Sequence, residues 1–76
     1  MIIFTQDKKN LVKCDKISVE KNFGGGKDAK YMLVGMGGFN IGGTLLGAYP
    51  EEKNAMDELE KINAAFAGGA KTYEIK

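Results

Sequence analysis

The chain has 76 residues and a formal net charge of +1, with eleven lysines, no arginine, no histidine, no tryptophan and a single cysteine, Cys14. Without histidine it lacks the side chain that titrates near neutral pH unaided, and without arginine it lacks a rigid two-pronged grip on phosphate or carboxylate, so most catalytic constellations are excluded. One cysteine forms no internal disulfide, and no signal peptide or membrane-length apolar run is visible, which makes the cytoplasm the expected compartment.

Met1-Ile2-Ile3-Phe4-Thr5 is a β-rich run, and Gln6 to Asn10 is a polar turn before Leu11-Val12, so a hairpin is predicted. In the second strand the inward phase changes: Val12 and Cys14 share one parity, Ile17 and Val19 the other. An extra residue near Asp15-Lys16, as in a β-bulge, would return both pairs to one face. Residues 22–28, Asn-Phe-Gly-Gly-Gly-Lys-Asp, read as a mobile loop in which Phe23 is exposed.

Tyr31-Met32-Leu33-Val34 predicts a third strand that is apolar on both faces. Gly37-Gly38 marks the next turn, and Phe39 to Tyr49 a fourth strand weakened by Gly42, Gly43 and Gly47. Tyr49-Pro50-Glu51-Glu52 opens a helix whose stripe is Ala55, Leu59, Ile62 and Phe66, widened by Met56, and Gly68-Gly69 closes it. The tail alternates, with Tyr73 and Ile75 on one side and Thr72, Glu74 and Lys76 on the other. The predicted class is a single α+β domain over residues 1–76, with a mainly antiparallel β-β-β-β-α-β sheet and one helix on one face.

A domain near this size buries only about 60% of the surface its unfolded chain exposes. A lone helix shields one sheet face, so the other is expected to meet a partner, most simply a second copy, with Tyr31 and Leu33 as interface residues. Residues 1–30 carry seven lysines against four acids, giving +3, and the remainder four lysines against six acids, giving −2. The interrupting acids and missing arginine argue against nucleic acid.

The glycine-rich segment 35–44 comes near two phosphate-binding patterns and completes neither. Gly37 to Thr44 has P-loop glycine spacing, but Gly43 stands where the lysine belongs and Pro50 leaves no room for the following helix. Gly35-Met36-Gly37 begins a dinucleotide fingerprint that fails at Asn40. A small anion nest of backbone N–H groups is what remains. Cys14 reads as a buried packing residue, because no base is available to activate it. Asp57, Glu58 and Glu60 read as a solvated helical face, with Asp57 placed to pair with Lys61. Asp7, Asp15 and Asp28 are too scattered for a metal site, and no cofactor is implied.

Three stretches carry a resemblance. They are Thr5-Gln6-Asp7-Lys8-Lys9 with Leu11-Val12; Leu46-Gly47-x-Tyr49-x-x-Glu52-x-x-Ala55-x-x-x-Leu59-x-x-Ile62; and Tyr73-Glu74-Ile75. Together they resemble small uncharacterised proteins encoded by phages and mobile elements of low-GC Gram-positive bacteria. Pro50-Glu51 replaces the Ser or Thr that would cap the helix in such chains, and the dense glycine centre lies outside the resemblance. It implies a setting, a phage or mobile-element accessory protein in the host cytoplasm, and no functional residues.

The functional expectation is a non-enzymatic, homo-oligomeric protein that sequesters a host protein or small anionic ligand, for instance to counter host defence. Its contacts would be Phe23, Lys27, Lys30, Gly37, Gly38, Phe39, Asn40, Gly42, Gly43 and Thr44. The alternative is a structural or regulatory module that docks on a protein through its exposed sheet face.

Overall fold

The computed structural model describes residues 2–37 and 43–76. In chain order these form β1 (Ile2–Phe4), β2 (Leu11–Lys13), β3 (Lys16–Lys21), β4 (Tyr31–Met36), β5 (Thr44–Tyr49), α1 (Glu52–Ala67) and β6 (Thr72–Glu74). The strands make two three-stranded sheets, ordered β2-β1-β6 and β3-β4-β5. Every pairing is antiparallel except that of β1 with β6, which is parallel. The fold is thus the expected small α+β class, with α1 against the β3-β4-β5 sheet.

The expected hairpin is β1–β2, and its polar turn is held by side chains. Thr5 Oγ1 donates to Asp7 Oδ1 at 2.6 Å, and the Lys9 N–H donates to the same oxygen at 2.9 Å. These two bonds hold the Asp7 carboxyl below its ordinary range, Thr5 most strongly. The predicted long second strand is cut in two. Its phase change falls at Cys14-Asp15, but the chain there turns from one sheet into the other instead of bulging within one strand. The Asp15 N–H donates to the Met36 carbonyl at 2.7 Å, fixing this corner to β4. Gly35 makes the approach possible, because a Cβ there would overlap Cys14 Sγ.

A second corner joins the sheets on the other side. The Gln6 N–H donates to the Leu46 carbonyl at 2.8 Å, and Gln6 Oε1 accepts from the Ala48 N–H at 2.9 Å. One register irregularity does occur, between β4 and β5: Leu33 pairs with Gly47 and Val34 with Leu45, leaving Leu46 as the extra residue. The consequence is a side-chain switch, with Leu46 buried and Leu45 54% exposed.

The core gathers Ile3, Leu33, Leu46, Ile62 and Ile75, all fully buried, with Cys14, Tyr49 and Ala55. Each large side chain removed from water contributes roughly 1.5–3 kcal/mol. The helix starts without a side-chain cap at Glu51, as Pro50-Glu51 predicts. It ends on two bonds, Gly69 N–H to the Phe66 carbonyl at 2.9 Å and Ala70 N–H to the Ala65 carbonyl at 3.0 Å. Gly69 takes the left-handed φ of 89° that this closure requires.

The buried stripe of α1 differs from the predicted one. Ala55 and Ile62 are buried and Leu59 is half-buried, but Met56 and Phe66 are more than 40% exposed, and Glu58 takes the inward position between Ala55 and Ile62. In the tail the predicted alternation holds, with Ile75 buried, Tyr73 half-buried and Thr72, Glu74 and Lys76 exposed.

Candidate functional site

The sequence-predicted contacts do not converge. Phe23, 94% exposed, and the exposed Lys27 and Lys30 lie in the β3–β4 connection, which three backbone bonds order: Asn22 to Lys30, Gly25 to Asn22 and Ala29 to Gly26. Gly37, Gly43 and Thr44 lie at the other end of β4, in or beside the β4–β5 connection. Six extended residues separate the two ends by about 17 Å. Gly38, Phe39, Asn40 and Gly42 fall outside the described residues. Gly43 serves local packing, since its φ is +78° and a Cβ there would stand 2.6 Å from Val34 Cγ1. Thr44 pairs with Gly35 in the ladder.

The predicted interface pair sits on the covered face. Leu33 is fully buried in the core, and Tyr31 is half-buried against it. The physical reason is parity: Tyr31 and Leu33 point to the helix side, while Met32, Val34 and Met36 point away, and four consecutive apolar residues gave no basis for choosing between the two. The outer face also presents Leu45.

The distinctive chemistry lies elsewhere, where the end of β5, α1 and β6 meet. Glu58 is only 5% exposed, which overturns its assignment to a solvated face. Ala55, Glu58 and Ile62 are spaced by three and four residues, the inward spacing of a helix, and that spacing was the available signal. Tyr73, carried in by β6, donates its hydroxyl to Glu58 Oε2. The Tyr49 hydroxyl is buried beside this pair with no hydrogen-bond partner among the described residues. Burial, then the Glu58 bond and charge, push the Tyr73 hydroxyl up to about 12. Burial, followed by the charge on Glu58 and by Tyr73, raises Tyr49 further. Both phenols therefore keep their protons at neutral pH, and of the two Tyr73 is the donor to Glu58.

Glu58 and Tyr49 line an open cleft of about 480 Å³ beside the first turns of α1. Gln6 and Asn54 contribute amides to its walls, and Asp57, Lys61 and Lys76 contribute charges. The predicted Asp57–Lys61 pair does not form. The one ion pair among the described residues is Lys8–Glu74, at 2.6 Å, outside this cleft. Two carboxylates and two ammonium groups thus share one cavity without pairing.

A second hollow, of about 180 Å³, lies between the Cys14-Asp15 corner and the later turns of α1, with Ile17, Leu59 and Phe66 on its walls. Burial pushes the Cys14 thiol above its ordinary value, which leaves it un-ionised at neutral pH. Among the described residues no group of three or more Cys, Asp or Glu side chains is placed to hold a metal ion, and no helix is long and apolar enough to cross a membrane. Comparison with protein-family models, with curated proteins and with solved structures gives no match.

Proposed function

We propose that this protein is a non-enzymatic binding protein, a phage or mobile-element accessory protein that sequesters a small ligand or host factor and in that way counters host defence. The observation that carries the binding function is Glu58, a buried carboxylate at the wall of a cleft, with a tyrosine bonded to it and no cation paired with it among the described residues. Burying a carboxylate costs several kcal/mol unless its surroundings compensate, and a site kept in that state is suited to a ligand that completes the compensation. Sequestration is favoured over catalysis because the nearby phenols stay protonated, the thiol is buried, and histidine is absent. The phage setting rests on the sequence resemblance.

Native mass spectrometry of the protein purified gently from cells tests this. A co-purifying small molecule or host protein that is lost on Glu58→Gln is expected. A bare subunit mass in every preparation would sink the proposal.

One observation favours the alternative of docking through the outer sheet face: Leu45 is 54% exposed there, on the same side as Met32. A second copy is the simplest occupant. If it is the occupant, Leu45→Glu turns an oligomer into a monomer in sedimentation velocity, and a wild-type monomer at high concentration excludes this second mode.

A further inference from the structure

The charge arrangement of the cleft specifies its ligand more closely than its size does. We infer that the cleft between the end of β5 and the first turns of α1 takes a small zwitterion bearing an ammonium and a carboxylate, of which a free α-amino acid is the simplest case. This rests on the proposal that the cleft binds a ligand at all.

Four charged groups line the cavity, two of each sign: Asp57 and Glu58, Lys61 and Lys76. Among the described residues none of the four forms an ion pair, so all four remain open to a ligand. A purely anionic ligand would leave Asp57 and Glu58 unmatched, and a purely cationic one would leave Lys61 and Lys76 unmatched. Either would be repelled by half of the lining. A zwitterion satisfies both halves, with its ammonium on the Glu58 side and its carboxylate on the lysine side.

Glu58 is the discriminating group. It is 95% removed from solvent, counted from its 5% exposure, and Tyr73 occupies only its Oε2. An ammonium bonded to such a carboxylate makes a charge-assisted hydrogen bond in a partly desolvated setting, where it is stronger than on an open surface. Lys61 and Lys76 are exposed, so they attract and orient the carboxylate without fixing one geometry. The Asn54 and Gln6 amides supply neutral hydrogen-bonding capacity around the same space.

The test is a heteronuclear NMR titration of the whole chain with each of the common L-amino acids, followed by the amide and the N-acetyl derivative of the best one. Saturable shifts are expected at the backbone amides of Asn54, Glu58 and Lys61. Masking the carboxylate or the ammonium should each weaken binding about tenfold or more, the loss of one charged contact. Glu58→Gln should weaken it similarly. Lys61→Met and Lys76→Met, at exposed positions, keep the test valid if the Glu58 variant is poorly folded, and each should weaken binding several-fold without moving the melting temperature.

If no amino acid shifts these amides, or if the masked derivatives bind as well as the parent, the zwitterion assignment is wrong. A co-purified ligand of another class in native mass spectrometry would then leave the broader binding proposal standing. Its absence as well would remove both.

Discussion

Two polar clusters fasten β6 to the rest of the molecule, and they differ in how completely they are satisfied. At one, Lys8 Nζ donates to the Ile75 carbonyl at 2.7 Å, pairs with Glu74 Oε2 and lies 5.4 Å from the centre of the Phe4 ring. At the other, Tyr73 donates to the buried Glu58, while the Tyr49 hydroxyl next to it has no partner among the described residues. The first is half-exposed and complete; the second is buried and unfinished. An exposed network can rearrange into water at small cost, so it is compatible with a purely structural role. A buried one cannot, so a missing partner there marks either a packing compromise or a place kept for something else.

The contrast is broken most severely at Glu58. Glu58→Ala takes the acceptor from the Tyr73 hydroxyl, beside a Tyr49 hydroxyl that already has no partner among the described residues, and urea unfolding should show a loss of about 3 kcal/mol. A loss below about 0.5 kcal/mol would mean that the site is wetter than its burial implies. Next comes Tyr73→Phe, which removes a hydrogen bond to a charged group and should cost about 1.5–3 kcal/mol. The same variant sharpens the pH behaviour. Tyr73 holds its proton up to about 12 in the fold against 10.0 unfolded, so its stabilising contribution is whole below pH 10 and is lost as the pH rises towards 12. Thermal unfolding followed across that window should fall less steeply in Tyr73→Phe than in the wild type.

Tyr49→Phe should move the other way. It deletes an unpartnered hydroxyl, so the expected change is between zero and about 1 kcal/mol of added stability, and a clear destabilisation would reveal a partner for that oxygen. The smallest effect is expected at the exposed cluster. Lys8→Met should lower the melting point slightly at low salt and by less at high salt. The Lys8 bond and charge hold the Glu74 carboxyl below its ordinary 4.5, so this contribution is present above that value and disappears as the pH falls below it. A pH profile of Lys8→Met that parallels the wild type through the acid range would show that the pair is ornamental.

Much of this contrast was beyond sequence reasoning, for identifiable reasons. The hairpin, the helix ends and the alternating tail were legible because each depends on local chemistry: a polar turn, a glycine closure, a period of two. The phase change at Cys14-Asp15 was legible as well, although the same residue pattern serves a bulge or a corner between sheets, and only the bond from Asp15 to Met36 distinguishes them. Nothing local selects Leu33 over Met32 for the core, since both are apolar, nor Leu46 over Leu45 around the register shift. Glu58 was hidden by its charge, because its compensation comes from Tyr73, fifteen residues away. The glycine segment also misled in one respect. Valine at Gly43 would meet Val34 in a backbone conformation that disfavours side chains, so replacing this glycine tests folding before it tests binding.

The parallel pairing of β1 with β6 has a consequence for how the chain is made. Ile3 stands opposite Tyr73, and the fully buried Ile75 closes the same core. On the ribosome β1 therefore waits for a strand made long after it, several seconds at about 5–20 residues per second. During that interval the Ile2-Ile3-Phe4 segment has β2 on one side and a bare strand edge on the other. Chaperone capture or premature association in that window would act on this edge, and a circular permutant that places β6 directly before β1 would shorten the delay.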